Sequence, residues 1–217
     1  MQTIDKELAI HMRQSGCEAV YLGLESGSQT VLNNMNKRAS LEQYLLGVSA
    51  LREADIKIFA AFIVGFPGES EATIKETASF IEKLGIHYYG LKDFYYMHTA
   101  PIHNIREKYG LMGEGYKWVH NTMSSHQVAE AKVKIFDLVS ASRHIDPDMG
   151  LWYLICLREK GFSWEQIDII QDMITSMTKN DNSGKYADNS DIVARIREVV
   201  GSFIESAANL NNEKTSN

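Results

Sequence analysis

Apolar residues recur at helical spacing at Ile4, Leu8 and Met12, and Ser15-Gly16 interrupts the run, so a helix is expected over 4–14. Ala19-Val-Tyr-Leu-Gly-Leu24 is then a compact apolar run of strand length with polar flanks, the pattern of a parallel strand covered on both faces. Leu41, Leu45, Val48 and Leu51 form one apolar stripe, and Ser40 and Gln43 stand ahead of it at capping-box spacing. This predicts a helix that ends near Ala54. Ile56 to Val64 reads again as a buried strand and is closed by Gly65-Phe-Pro-Gly68. Ser70 caps a third helix with Glu71 in its first turn, Gly85 ends it after Leu84, and His87 to Tyr96 reads as a third strand.

Helix, strand, helix, strand, helix, strand requires a parallel sheet, because each strand must return through a crossover. Three strands cannot close a barrel. From Ser124 the pattern predicts helices only, over Ser124 to Ser142, Pro147 to Lys160, Ser163 to Thr178 and Ser190 to Ala208, with capping-box spacing at Ser124/Gln127 and Ser163/Gln166. Lys179 to Lys185 is a polar loop with one glycine, and Asn211 to Asn217 has too few apolar residues to fold. The boundary between the α/β part and the helical part falls between Gly110 and Ser124. The expected organisation is an α/β unit over 1–115, a helical extension over 116–210 and a disordered tail over 211–217.

The composition narrows the function. The chain of 217 residues is 44% hydrophobic and 23% charged, as in an ordinary globular protein, and its net charge of −6 offers no long-range attraction for nucleic acid or anionic lipid. Cys17 and Cys156 are the two cysteines, so there is neither a disulfide framework nor a zinc motif, and a reducing cytoplasm is the expected setting. No apolar run is long enough to span a bilayer, and the first residues lack the apolar core of a signal peptide, so no membrane role is expected.

Candidate chemistry gathers at the strand ends. Glu25 follows the first strand directly, where a carboxylate can accept hydrogen bonds from a ribose or an ammonium group; taken alone it reads equally well as a solvated loop acid. Ser26-Gly-Ser28 adds hydroxyls, and Lys37 and Arg38 could meet a ligand carboxylate or remain surface charge. Gly65-Phe-Pro-Gly68 joins a strand to a helix start and so exposes backbone N–H groups, yet it is neither a P-loop nor a GxGxxG turn. His98 and Thr99 occupy the corresponding place after the third strand. A parallel sheet collects these three ends on one side, which favours a small-molecule site there. The histidines show no metal-ligand spacing, and the aromatic run Tyr88, Tyr89, Phe94, Tyr95 and Tyr96 reads as strand core.

In their order and spacing, Gly16 to Leu32, Met35-Asn-Lys37, Ile63-Val-Gly-Phe-Pro-Gly-Glu69, His98-Thr-Ala-Pro-Ile102 and Glu107-Lys-Tyr-Gly-Leu111 resemble the radical S-adenosylmethionine (SAM) superfamily. The resemblance is nearest to the group that often carries a cobalamin-binding domain upstream. It implies a six-stranded partial (β/α) barrel of which the three strands here are the last, with SAM and a [4Fe-4S] cluster as cofactors, and cobalamin on an upstream domain. It further implies that Glu25 and Ser26 contact the ribose and methionine part of SAM, Lys37 its carboxylate, and Ile63 to Gly65 its adenine, with Thr99 lying in the final loop. His98-Thr-Ala-Pro101 stands where relatives often have Pro-Gly-Thr-Pro, and Ala61 replaces a residue that is acidic in some relatives. The CxxxCxxC cluster motif is absent. The expectation is therefore part of a longer enzyme, working with the missing N-terminal half of the barrel or with a partner chain on a small-molecule or peptide substrate, with methyl transfer one candidate reaction. The alternative is a non-catalytic half-barrel module that docks on a partner or self-associates through the exposed edge of its first strand.

Overall fold

The computed structural model describes residues 4–146, 148, 150–182 and 193–203. The expected elements form largely where the hydrophobic pattern puts them: α1 (Lys6–Gln14), β1 (Ala19–Glu25), α3 (Leu41–Glu53), β2 (Lys57–Val64), α4 (Glu71–Leu84) and β3 (Tyr88–Asp93), with a short α2 (Gln29–Asn34) ahead of α3. Asp5 caps α1 by accepting the Leu8 N–H at 2.9 Å. Ser40 and Gln43 cap α3 reciprocally, at 3.2 Å and 2.9 Å, and Gly85 ends α4 in the left-handed region.

β1, β2 and β3 pair in parallel, and β7 (Arg143–His144) adds a fourth parallel strand beside Tyr88 and Tyr89. Leu24, Ile58, Ala60, Phe62, Val64, Tyr89 and Leu91 form the core with Val48 and Leu51 of α3, Ile74, Ala78 and Ile81 of α4, and Val128 and Ile135 of α6 (Val128–Leu138). By alternation and register, Tyr21 and Gly23 share the opposite face with Phe59, Ala61 and Ile63 and with Tyr88, Gly90 and Lys92, and beyond a bulge the Glu25 carboxylate lies against Gly23. β1 ends the sheet order, and among the described residues no strand pairs with its other edge.

Three expectations are corrected. The third strand stops at Asp93, and Tyr96 instead bridges Gly115. The helical extension expected from residue 116 does not begin there: after a 3-10 turn (Pro101–Ile105) and α5 (Arg106–Tyr109), β4 (Met112–Glu114), β5 (Lys117–His120) and β6 (Met123–Ser124) form an antiparallel sheet. Strands of two to four residues carry too little alternation to be legible. The predicted helix to Ser142 ends at Leu138, because β7 follows it, its approach held by Glu82, which accepts the Ser140 and Ala141 N–H groups at 2.7 Å and 2.8 Å. The α/β part therefore continues past residue 115. The chain divides into compact units over Met1–Pro147 and Asp148–Asn217, whereas the hydrophobic pattern places a boundary between Gly110 and Ser124.

The second unit contains α7 (Gly150–Glu159), α8 (Trp164–Asn182) and a helical segment over 193–203. Ser163 and Gln166 cap α8 as their spacing predicts, and the Arg158 guanidinium lies 5.3 Å from the Trp164 ring centroid. α8 runs to Asn182, through the first part of the loop expected over Lys179 to Lys185, and residues 183–185 lie outside the described residues. The outer parts of the helix expected over Ser190 to Ala208, and the tail over 211–217, lie outside the described residues. Among the described residues no helix is long and apolar enough to cross a membrane.

Candidate functional site

The C-terminal ends of β1, β2 and β3 meet at one end of the sheet. A bulge between Gly23 and Glu25 interrupts the ladder to β2, and Glu25 adopts φ 69°, a left-handed conformation unusual for a carboxylate residue. Its carboxylate folds back over β1: a Cβ at residue 23 would stand 2.6 Å from Glu25 Oε1, so a side chain there would push the carboxylate aside. Lys37, just beyond α2, donates to the same oxygen at 2.9 Å. Both side chains are partly open to solvent, so the pair can exchange its mutual contact for a zwitterionic or hydroxylated ligand.

Ser26 follows Glu25 but is wholly buried. Its hydroxyl accepts the Ser28 N–H at 3.1 Å and lies 3.4 Å from Thr77 Oγ1 of α4, which accepts the Gly27 N–H at 3.1 Å. The Ser/Gly turn is thus pinned to α4 from within. Thr77→Val should strand the buried Gly27 N–H and lower stability by about 1–2 kcal/mol, read as a lower urea midpoint. Ser28 Oγ and Tyr44 OH, both buried, have no protein partner. Burial and then the Glu25 charge push the Tyr44 phenol up to about 12, so it stays a neutral donor at this end of the sheet.

After β2 the backbone is held on both sides. Gly65 donates its N–H to Glu69, a buried carboxylate, and its carbonyl accepts from His120 Nε2 at 3.2 Å. His120 Nδ1 in turn accepts from the Thr122 hydroxyl at 3.2 Å, which sets a neutral imidazole with its proton on Nε2. Burial lowers the pKa of His120, in keeping with that form. Trp118 stacks on His120 at 5.2 Å and donates its indole N–H to the Phe94 carbonyl at 2.8 Å, which places its ring over Gly65. Asn34 of α2 donates to the Pro67 carbonyl at 3.2 Å and so ties the first strand's loop to the second's.

The predicted site residues thus fall into two groups. Glu25, Lys37 and the half-buried Ile63 stand at the mouth of the sheet, while Ser26 and Gly65 are committed to internal hydrogen bonds that shape it. Thr99 is exposed in the turn after β3, and the exposed His98 donates from Nε2 to the Gly113 carbonyl at 3.1 Å. The pattern reading missed Glu69, Thr77, Trp118 and His120. Of these, Trp118 and His120 sit on a strand of four residues, too short for its alternation to be legible. The two thiols do not fit a cluster site. Cys17 lies at the start of the sheet, its Sγ 3.5 Å from the Ala19 carbonyl, Cys156 is exposed in the second unit, and among the described residues no group of three or more His, Cys, Asp or Glu could hold a metal ion.

Comparison with known proteins gives an independent reading of the first unit. Residues 1–81 match the radical SAM superfamily. An uncharacterized methyltransferase of Pyrococcus horikoshii is 31% identical over 88 residues, 41% of this chain and 19% of that protein. A tRNA-2-methylthio-N(6)-dimethylallyladenosine synthase of Trichlorobacter lovleyi is 40% identical over 82 residues, 37% of this chain and 18% of that protein. The chain therefore spans about a fifth of the length of these relatives. Among solved structures, the radical SAM methyltransferase TsrM of Kitasatospora setae, with cobalamin and a [4Fe-4S] cluster bound, overlaps 49% of this chain and 22% of its own at 21% identity and a TM-score of 0.44.

Proposed function

Since residues 1–81 are a radical SAM superfamily segment, we propose that this chain is the SAM-facing portion of a radical SAM enzyme. The observation that carries the reading is the Glu25–Lys37 pair, an acid and a base held together at the strand ends of such a segment. Glu25 takes the ribose hydroxyls or the ammonium group, Lys37 takes the methionine carboxylate, and the β2 end at Ile63 lies against the adenine, with Thr99 closing the site from the last loop. Ser26 and Gly65 contribute by holding the turns that aim these groups. When bound beside a reduced [4Fe-4S] cluster, SAM supplies one-electron chemistry. The thiolates for that cluster come from polypeptide other than these 217 residues, whether continuous with them or a separate chain, and the free edge of β1 receives its adjoining strand. Cobalamin, if the enzyme uses it, is carried there too. The methyltransferase and methylthio-adenosine synthase relatives support group transfer as the reaction class. The two free thiols accord with the reducing cytoplasm as its setting.

Equilibrium dialysis of SAM against the chain tests the assignment. Glu25→Gln and Lys37→Met should each weaken binding by about tenfold, the loss of one charge-assisted hydrogen bond, with the circular dichroism spectrum unchanged. Equal affinity in wild type and both variants would remove Glu25 and Lys37 from the site.

A further inference from the structure

Beyond the Glu25–Lys37 site, a second polar cluster occupies the turn after β3 and is not used by the proposed function. Tyr96 is buried, and its hydroxyl lies 2.7 Å from His103 Nδ1. The His98 and His103 rings are 4.8 Å apart, centroid to centroid. Arg106 Nη1 donates to the His103 carbonyl at 3.1 Å, which anchors the guanidinium beside the ring.

Gly113's carbonyl can only accept, so His98 carries a proton on Nε2 and turns Nδ1 away from that bond. Tyr96 and His103 Nδ1 share one proton, and when the phenol gives it the His103 proton sits on Nε2, on the far edge of the ring. Burial, then the Arg106 charge, then His98 lower the proton affinity of His103, the mark of a locally electropositive cluster. The acid paired with Arg106 is Glu107, 3.9 Å from Nη2 on an exposed side chain, too distant for a hydrogen bond. Three nitrogen groups that donate hydrogen bonds or carry positive charge are therefore held by the backbone and by Tyr96, with Arg106 paired only loosely to Glu107.

We propose that His98, His103 and Arg106 form an oxyanion subsite that binds the phosphate group of a small-molecule ligand. Once His98 also takes up a proton on Nδ1, a phosphate dianion can accept hydrogen bonds from both rings and from the guanidinium and offset their mutual repulsion, which a carboxylate, with one charge and two oxygens, does less completely. The overall charge of −6 points away from a polyanionic partner and toward a discrete ligand. The subsite stands independently of SAM binding, because none of its residues belongs to the Glu25–Lys37 pair.

The test is NMR of the histidine rings in the 217-residue chain, titrated with inorganic phosphate or with acetate at constant ionic strength. The expected result is saturable phosphate binding with a dissociation constant of about 1–10 mM, a rise in the titration midpoints of His98 and His103, and no change at the exposed His11 and His126. Arg106→Gln, at a solvent-facing side chain, should weaken phosphate by about tenfold. The proposal is overturned if His98 and His103 respond no more than His11 and His126, or if Arg106→Gln binds as wild type does. Acetate that saturates the same rings as tightly as phosphate overturns the phosphate assignment in favour of a carboxylate.

Discussion

Replacing Gly65 with alanine should unfold the first unit at a markedly lower urea concentration than wild type, a loss of about 3 kcal/mol or more. Two effects add. Gly65 sits at φ +96°, where an L side chain is strained, and its Cβ would stand 2.5 Å and 2.6 Å from Trp118 ring carbons and 2.9 Å from a Val128 methyl. The indole has nowhere to retreat, because it is bonded to the Phe94 carbonyl and packed against Phe94 at 5.4 Å and His120 at 5.2 Å. Gly16 is the control, since its φ is +91° but nothing lies within 4 Å of the Cβ position. Gly16→Ala should therefore show the backbone strain alone, about 1 kcal/mol. Equal losses at the two positions, by urea unfolding followed with circular dichroism, would mean that the indole does not clamp this turn.

The second large effect concerns pH. Burial pushes the Glu69 carboxyl up to about 7 from an ordinary 4.5, although the Gly65 and Phe66 N–H groups pull it down. The folded chain thus holds this proton more tightly than the unfolded one. Its contribution to stability is complete below pH 4.5 and is lost as the pH rises through 7. Between those limits the linkage is worth roughly 3 kcal/mol. His144, half-buried between Tyr89 and Phe136 at ring distances of 5.2 Å and 5.5 Å, acts in the opposite sense. Burial lowers its imidazole to about 4 from 6.5, so its contribution is present above pH 6.5 and is lost as the pH falls through 4. The two largely cancel between pH 4.5 and 6.5, and single variants should separate them. The stability of Glu69→Gln relative to wild type should improve as the pH rises from 4.5 to 7.5, and that of His144→Phe should improve as it falls from 6.5 to 4. Glu69→Ala should be destabilised at every pH, by about 2–4 kcal/mol, because it leaves two backbone N–H groups buried without acceptors. Parallel pH profiles for wild type and Glu69→Gln would show that the carboxyl titrates normally.

These predictions depend on residues that differ greatly in legibility. Glu25 and the Gly65 turn could be read because each stands at the end of an apolar run, and the parallel topology demanded by the strand-helix alternation brings such ends together, whereas Lys37 follows a polar segment and its role came from the family resemblance. Glu69 was part of a recognisable motif, yet nothing local announced that its carboxylate would turn inward. Ser26 shows the reverse: its position suggested a ligand contact, while its hydroxyl is spent on the turn and on Thr77, fifty-one residues away. Trp118 and His120 lie on a four-residue strand, too short for its alternation to stand out, and their meeting with Gly65 depends on how the antiparallel sheet folds over the end of β2.

By itself the sequence determined the main helices and strands of the first unit through β3, the short α2 and the end of β3 excepted, and their parallel pairing, because hydrophobic period, caps and crossovers are local or nearly local constraints. Only the tertiary structure decided which polar groups stay available at that end and which are consumed in holding it. Hydrogen bonds such as Gly65 to His120, and close packing such as Trp118 over Gly65, join residues more than fifty positions apart, and no local pattern encodes them.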